Sequence, residues 1–475
     1  MVVLAAIAEL FGGNAGTEEL EAFYPIRPDC LADIPKTRFR PRVGKTLSAR
    51  RWHAAFSEDG HLDIEKVLRR IQRGGIHPSI KGFVWEFLLG CFDPNSTFDD
   101  RNQLREQRSF LRSQCLASFF PPLIINDILF LRLVDHCDST FRANHPRERY
   151  AMWKTECQNM VPVIGSGKYI TRPIITDDGQ PIEGEDCHVT SAVSDNKKVA
   201  HWMLFLHQIG LDVFRTDRAL VFYEDEANQA KLWDILAIYS WVDDDIGYVQ
   251  GMNDICSPMV ILLENEADAF WCFEHAMRRL RENFRCSTSS IGVQSQLGIL
   301  SQVIKTVDPK LHQHLEDLDG GEYLFAFRML MVLFRREFSF VDALYLWEVM
   351  WAMEYNPNIF SLYEQPDAAL DSNSTQTLHA KELKRYGKFQ RKNLQNGHTD
   401  KNCALSVFLV ASVLETKNRQ ILKDAKGLDD VVTVHSLPIV PMHILGEITG
   451  NLDAKKACQN ALKIQDKYLK KAKKS

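Results

Sequence analysis

Apolar residues recur at helical spacing along most of the chain, whereas the alternating apolar and polar runs that mark half-buried strands are scarce. The segment HPSIKGFVWEFLLG shows the pattern well, because a proline opens the apolar stripe and a glycine closes it. The same spacing recurs in NQAKLWDILAIYSW, EADAFWCFEHAMRRLRENF, GEYLFAFRMLMVLF, SFVDALYLWEVMW and NCALSVFLVASVLE. Helices with one apolar face must pack on one another, so we predict an all-α protein.

The length of the chain bears on how its core is organised. At 475 residues it exceeds the size at which one hydrophobic core stops growing, which is about 250–300 residues. Apolar residues make up 45% and charged residues 25%, an ordinary composition for a globular protein. We therefore expect either two helical subdomains or one large helical body.

Charge and cysteine usage limit the partners and the compartment. The formal net charge is −5, which gives no global basic excess and no case for nucleic-acid binding. The eleven cysteines form no C-x-x-C pair, which favours buried thiols in a reducing compartment. The opening MVVLAAIAEL has no preceding positive charge, and no apolar stretch reaches the roughly 18 residues of a membrane span. We predict a cytoplasmic protein that meets membranes only through a partner or its tail.

Prolines and helix caps divide the first part of the chain. Residues 1–50 are predicted to form an irregular, extended or loosely docked leader, because four prolines interrupt any long helix: Pro25, Pro28, Pro35 and Pro41. Residues 51–74 are predicted to form a first helical unit. Its helix has Asp63 as N-cap and Gly74 as C-terminal stop. The main domain is predicted over residues 75–430.

Two polar stretches and the C-terminal end depart from helical periodicity. Residues 155–195 include IITDDGQPIEGEDCH and are predicted to be an inserted surface loop, with simple protrusion favoured over a role in partner choice. Residues 354–400 are predicted to be a mobile loop. Residues 431–475 are predicted to form a basic helical tail, in which Asp466 is the one acid after Asp453. A solvated helical end is favoured over a segment that binds acidic lipid or a targeting receptor.

Several short segments look like functional motifs without meeting their requirements. VGKT at 43–46 lacks a P-loop, because Phe39 stands where the first glycine is needed. HCD at 136–138 and the acidic triplet at 243–245 have no partner at metal-ligand spacing. No G-x-S-x-G or H-E-x-x-H motif is present. We expect no cofactor, no metal and no independent catalytic chemistry, although a nucleotide hydrolase based on VGKT is kept as a remote alternative.

Three other segments combine into a specific pattern: KGFVW at 81–85, IGLDVFRT at 209–216 and YVQG at 248–251. Together they resemble the signature of TBC-domain GTPase-activating proteins for Rab-family GTPases, R-x-x-x-W, I-x-x-D-x-x-R-T and Y-x-Q-G. The last two match in full. The first departs at Lys81, which keeps the charge of the usual arginine but loses its planar fork. The resemblance runs from about residue 75 to about 425 and implies a TBC domain of two helical subdomains with long surface insertions.

The resemblance implies two catalytic residues that act in another protein. Arg215 is similar to the family's arginine finger, whose guanidinium stabilises charge on the transferring phosphate. Gln250 is similar to the second finger, an amide that orients the attacking water. The partner would be a GTP-bound Rab GTPase in vesicle trafficking, and GTP and magnesium would belong to that partner. The plainer alternatives are a surface salt bridge for Arg215 and a helix-capping amide for Gln250.

The remaining motif positions are expected to support the fingers. Asp212 would hold either Arg215 or a backbone amide in place, Tyr248 would pack behind the glutamine, and Gly251 would allow close backbone approach. Lys81 is expected to make a supporting contact. Ile209 and Trp85 are expected to be core anchors. Thr216 is either a helix cap or a loop bond.

We also expect both fingers to lie on loops, with Val213 and Phe214 packing the base of the arginine loop. A different class of function stays open: a catalytically silent Rab-binding scaffold with a TBC fold. The Lys81 departure and the two insertions favour that alternative, whereas the intact Arg215 and Gln250 argue against it.

Overall fold

The computed structural model describes residues 22–32, 34–103, 146–176, 197–285, 292–360, 387, 389–391, 393, 404–427 and 453–472. Within those ranges it contains helices, turns and three isolated bridges, and no β-strand. The prediction of an all-α protein is confirmed. The helices are α1 (Ala49–His53), α2 (Ile64–Gly74), α3 (Lys81–Leu88), α4 (Pro146–Met160), α5 (Lys197–Arg215), α6 (Glu226–Val242), α7 (Met252–Leu262), α8 (Glu266–Leu280), α9 (Gly292–Val307), α10 (Pro309–Asp317), α11 (Phe327–Met331), α12 (Phe340–Glu354), α13 (Leu405–Asp424) and α14 (Ala454–Ala472).

The helices pack in two groups around a continuous apolar core. In the first group α6 is central and contacts α4, α5, α7 and α8. In the second group α13 packs on α9, α10 and α14, and α12 packs on α2 and α14. Helix α3 contacts α7 and α8 of the first group and α12 of the second, so it joins the two. The buried residues of both groups form one cluster, so the first group packs directly against the second.

The N-cap expected from the sequence begins α2, and α2 and α3 both end within two residues of the expected glycines. The carboxylate of Asp63 accepts a hydrogen bond from the Lys66 backbone N–H at 3.1 Å, as an N-cap should. Gly74 is the last helical residue of α2, and Gly75 follows with φ 68°. Helix α3 begins after the 3₁₀ turn Pro78–Ile80 and is followed by Gly90 at φ 81°.

The segment GEYLFAFRMLMVLF differs from the long helix that its periodicity predicts. It forms the 3₁₀ turn Leu324–Ala326 and the short helix α11, after which the chain leaves helical geometry. Leu333 and Phe334 have φ values of 48° and 59°, in the left-handed region, and both side chains are buried. Tertiary burial has overridden a local helical preference at this point.

The described part of the leader is irregular but firmly docked. Tyr24, Phe39 and Leu47 are buried in the core. The backbone N–H groups of Arg38 and Phe39 donate to the Asp342 carboxylate in the first turn of α12, at 2.8 and 2.6 Å. The expectation of a loosely docked segment is therefore wrong for these residues, because buried side chains and satisfied backbone groups hold the segment to the body.

The predicted inserted surface loop begins later than expected and does not merely protrude. Residues 155–160 belong to α4. Residues 161–176 are irregular, but they pack inward through four isoleucines: Ile164, Ile170, Ile174 and Ile175. Their backbone lies so close to α5 that a Cβ on Gly210 would come within 1.7 Å of the Ile170 carbonyl oxygen. Residues 177–195 lie outside the described ranges.

The described positions of the predicted mobile loop are anchored at the C-terminal end of α12. The side-chain amide of Gln390 donates to the Ala352 carbonyl at 2.8 Å, and that of Asn393 donates to the Met353 carbonyl at 2.9 Å. Such bonds satisfy carbonyl groups that a helix end leaves unpaired. The mobility of this stretch stays a prediction, and most of residues 361–403 lie outside the described part of the chain.

The C-terminal helix α14 is part of the body and not a solvated tail. One face is buried against α13, α12 and α9, through Ala454, Ala457, Cys458, Ala461 and Ile464. Lys467 and Lys471 donate to the carbonyls of Val307 and Thr306 at 3.0 and 2.7 Å, at the C-terminal end of α9. Cations at that end offset the helix dipole. Among the described helices, none combines the length and apolar character needed to cross a bilayer.

Candidate functional site

Arg215 is the last residue of α5, at a helix end and not within a loop as expected. The inner face of α5 is fixed in the core by fully buried residues that include Ile209 and Val213. The Arg215 side chain points outward and is 57% exposed. The negative end of the helix dipole favours a cation at this position. The core side of α5 therefore anchors the backbone while the guanidinium reaches solvent.

Asp212 holds the arginine. Its carboxylate is only 7% exposed, and its Oδ1 accepts from Nη2 of Arg215 at 2.5 Å. A guanidinium has five N–H donors, so this contact leaves most of them available to another molecule. The pair fixes the direction of the arginine at little further entropic cost.

Phe214 does not pack the base of the finger, contrary to the prediction. Its side chain is 55% exposed, and the guanidinium of Arg218 lies 5.0 Å from its ring centroid. The reason is geometric: Val213 occupies the inward position of α5, which turns the next side chain outward. Leu211, at 51% exposure, lies on the same outer side, so apolar side chains border Arg215.

Gln250 lies in the turn between α6 and α7, and its side chain is exposed. Within the described residues no hydrogen bond ties down its amide. Gly251 follows as the N-cap of α7 with φ 108°, a conformation that disfavours any side chain. A Cβ there would approach the Cγ1 of Val332 to 2.9 Å. The glycine thus lets the turn fit tightly and presents the preceding amide to solvent.

One buried carboxylate connects the two finger segments. While Oδ1 of Asp212 binds Arg215, its Oδ2 accepts from the Tyr248 hydroxyl at 2.6 Å. Burial, and then the neighbouring Asp212 charge, raise the pKa of Tyr248 well above its usual range. The phenol therefore stays protonated and remains a donor to the carboxylate.

Asn253 provides a second connection that the sequence reasoning missed. Its side-chain amide donates to the Thr216 hydroxyl at 2.9 Å, and its Oδ1 accepts from the Gly251 backbone N–H at 3.0 Å. The Thr216 hydroxyl in turn donates to the Asp212 carbonyl at 2.6 Å. The Thr216 hydroxyl thus bonds both the end of its own helix and the segment that follows Gln250. A polar residue two positions beyond YVQG, in an apolar helix, was the available signal for Asn253.

Lys81 and Trp85 are not part of this network. Lys81 is fully buried and binds the Glu348 carboxylate of α12, which also accepts from the Trp85 indole N–H at 3.2 Å. Burial lowers the pKa of Lys81 and raises the pKa of Glu348, while each opposes the other's shift by its charge. The expectation of Lys81 as a supporting contact for the fingers is wrong: it supports the junction of α3 and α12.

The lookalike motifs have ordinary structural roles. Thr46 of VGKT donates to the Gly74 carbonyl at 2.9 Å. Asp243 and Asp245 pair with Arg281 at 2.7 and 2.6 Å. Over the described residues no group of three or more His, Cys, Asp or Glu side chains is arranged to hold a metal ion. HCD at 136–138 lies outside the described ranges.

The fold and the site together define a class: an all-helical domain that presents an arginine and a glutamine outward from linked helix ends. A family model described as the Rab-GTPase-TBC domain matches residues 148–363, so this part of the chain is similar to that family. Both finger positions lie within the matched residues, whereas Lys81 precedes them.

Curated relatives show the same similarity. The chain is similar to Rab GTPase-activating protein 22 of Arabidopsis thaliana, at 28% identity over 64% of this chain and 66% of the relative. It is also similar to TBC1 domain family member 17 of Homo sapiens, at 43% identity over 32% of this chain and 23% of the relative. The matches thus span just under two thirds of the first relative and under a quarter of the second. The solved Ypt/Rab-GAP domain of Gyp1p aligns over 85% of this chain and 92% of its own, at 16% identity with a TM-score of 0.47.

Proposed function

We propose that this chain is a GTPase-activating protein that accelerates GTP hydrolysis by a Rab-family GTPase, with Arg215 and Gln250 entering the nucleotide site in trans. The observation that carries the proposal is the Asp212 carboxylate, which binds Arg215 through one oxygen and Tyr248 of the YVQG turn through the other. A single buried group thereby links the supports of both exposed side chains. Such a link has clear use when two side chains must reach one phosphate and its water together.

The chemistry assigned to each finger follows from its exposed groups. Arg215 would donate its solvent-facing N–H groups to phosphate oxygens as charge develops in the transition state. Gln250 would accept from the attacking water and donate to a neighbouring acceptor, which only an amide does without changing protonation. Arginine fingers contribute about 10³- to 10⁵-fold in other systems.

GTP and magnesium would be carried by the GTPase and not by this chain. The expected setting is the cytoplasmic face of a trafficking membrane, where Rab-family GTPases act as the partner. The relative in Arabidopsis thaliana is named as a Rab GTPase-activating protein, which is the reason to test Rab proteins first.

Phosphate release should be measured over a panel of GTP-loaded Rab proteins, with Arg215→Ala and Gln250→Ala compared with the unchanged chain. We expect at least one Rab to be stimulated, and each variant to lose at least about 100-fold of that stimulation. Full activity in both variants would defeat the two-finger mechanism.

The chain offers a matched control for the arginine. Arg69 on α2 is 55% exposed and pairs with Glu65 four residues earlier, as Arg215 is 57% exposed and pairs with Asp212 three residues earlier. Arg69→Ala removes the same kind of side chain from the same kind of helical ion pair. We expect it to leave stimulation within about twofold, as for ordinary surface substitutions.

The silent scaffold remains the second candidate, and the same assay separates it. Its supports are the Lys81 departure and the two insertions, and Lys81 itself pairs with Glu348 in the core, away from Arg215 and Gln250. A scaffold would bind a GTP-loaded Rab without raising the rate of hydrolysis, and binding would survive Gln250→Ala.

A further inference from the structure

The loop between α11 and α12, residues 332–339, has an unusual backbone. Leu333 and Phe334 are consecutive bulky residues with φ values of 48° and 59°, and their side chains are 6% and 1% exposed. Left-handed backbone at such residues costs about 1–3 kcal/mol each and persists only where the surroundings fix it. Strain of this kind concentrates at sites whose geometry matters for function, so the contacts of this loop are informative.

Val332 and Arg336 contact the glutamine side of the site. The Val332 side chain lies against Gly251, close enough that a Cβ on the glycine would be 2.9 Å away. The guanidinium of Arg336 binds the Asp254 carboxylate, in the first turn of α7, at 2.8 Å. Both contacts fix the start of the helix that follows Gln250.

Arg335 contacts the arginine side of the site. Its guanidinium binds the carboxylate of Asp217, two residues after Arg215. Asp217 itself has φ 45° and also accepts from the Ser257 hydroxyl of α7 at 2.6 Å. One carboxylate therefore connects the turn after Arg215 with both the loop and α7.

Stability alone is a poor explanation for Arg335. The side chain is 8% exposed, and its Nε has no hydrogen-bond partner among the described residues. Burying a guanidinium with an unpaired N–H costs free energy that an apolar side chain would not. A buried ion pair of this kind is better explained by the geometry that it specifies.

We propose that residues 332–336 form a positioning clamp that fixes the turn after Arg215 and the turn containing Gln250 relative to each other, with Arg335 as its positioning residue. The purpose of the clamp rests on the proposed function, and the clamp adds a third connection between the two finger segments beside those through Asp212 and Asn253. Arg335 does not touch the GTPase in this scheme, because it is buried.

The kinetic test compares Arg335→Met and Asp217→Asn with the unchanged chain. We expect kcat for stimulated hydrolysis to fall about 10- to 100-fold in each, with KM for the GTPase changed by less than about twofold, because misplacement of about 1 Å costs rate of that order. The double variant should lose little more than either single one, since both remove the same contact. A raised KM with unchanged kcat would overturn the clamp.

Arg328→Met is the matched control. Arg328 also binds an acid of this loop, Glu337 at 3.1 Å, but none of its described contacts reaches either finger turn. We expect its kcat to match that of the unchanged chain. An equal loss in Arg328→Met would show that any damage to the loop lowers the rate, which contradicts a specific clamp.

Hydrogen exchange on the chain alone tests the clamp without a GTPase. Exchange should rise both at 214–218 and at 248–254 in Arg335→Met or Asp217→Asn, and at neither in Arg328→Met. A rise confined to residues near 335 would overturn the proposal. If no Rab is stimulated by the unchanged chain, the proposed function fails, while the exchange result still decides whether the loop couples the two turns. Should Arg335→Met not fold, Asp217→Asn and Ser257→Ala carry the same comparison.

Discussion

Two ion pairs in this molecule have similar chemistry and opposite surroundings. In the pair of Lys81 with Glu348 both side chains are 0% exposed, whereas in the pair of Arg215 with Asp212 the cation is 57% exposed and the carboxylate 7%. The first pair is closed to solvent and serves the junction of α3 and α12. The second keeps a buried anchor and an open cation, so it can serve another molecule. Exposure leaves the Arg215 cation able to contact another molecule, whereas complete burial excludes Lys81 from such a contact.

The largest effect is expected from Lys81→Ala. Removing one partner of a buried pair leaves the Glu348 charge uncompensated and should lower the free energy of unfolding by ~3–5 kcal/mol. Urea unfolding measures this, and the fraction that stays folded should activate a responsive GTPase normally. Replacing both partners by Lys81→Met and Glu348→Leu should recover most of the lost stability. Loss of activity in a fully folded Lys81 variant would show that our separation of the two pairs is wrong.

A second prediction concerns the pair of Arg215 with Asp212. Arg215→Lys keeps the charge but loses the planar fork, and we expect stimulated hydrolysis to fall roughly 100-fold, equivalent to about 2.7 kcal/mol in the barrier. The midpoint of thermal unfolding should change by less than about 2 °C, because the side chain is largely exposed. The rate is measured as single-turnover GTP hydrolysis by the GTPase in the presence of a saturating concentration of this protein. A rate near that of the unchanged chain would mean that positive charge alone suffices.

A smaller effect is expected at the residue that shares the Asp212 carboxylate. Tyr248→Phe removes the hydroxyl that donates to Oδ2, so Asp212 becomes freer to move with Arg215 attached. We expect about a tenfold loss of kcat, or roughly 1.4 kcal/mol in the barrier, together with a modest loss of stability. Parallel kinetics and calorimetry measure both. An unchanged rate would mean that Asp212 holds the arginine without help from the YVQG turn.

The smallest effect is expected at Phe214, the exposed apolar residue next to Arg215. Phe214→Ala removes an apolar side chain that is 55% exposed and lies under the Arg218 guanidinium. Its loss should leave stability within about 0.5 kcal/mol. We expect KM for the GTPase to rise about threefold with kcat unchanged, because Phe214 would contribute contact area and not chemistry. A fall in kcat alone would instead place Phe214 in the support of the arginine.

The sequence by itself determined the features that depend on neighbouring positions. The helical spacing of apolar residues specified an all-α body, and Asp63 specified the start of α2. The pairing of Arg215 with Asp212 could also be inferred, since residues three apart on a helix are neighbours. These inferences needed only local geometry, which the order of residues largely fixes.

Only the tertiary structure decided which charged side chains are exposed to solvent and which are buried. Lys81 meets a carboxylate 267 positions away, and Arg335 meets Asp217 across 118 positions, separations at which no periodicity predicts contact. The same holds for the exposure of Phe214, the docking of the leader and the burial of one face of α14. The physical reason is that a local pattern tells which face of a helix is apolar, whereas the partner of a polar group depends on how distant segments pack.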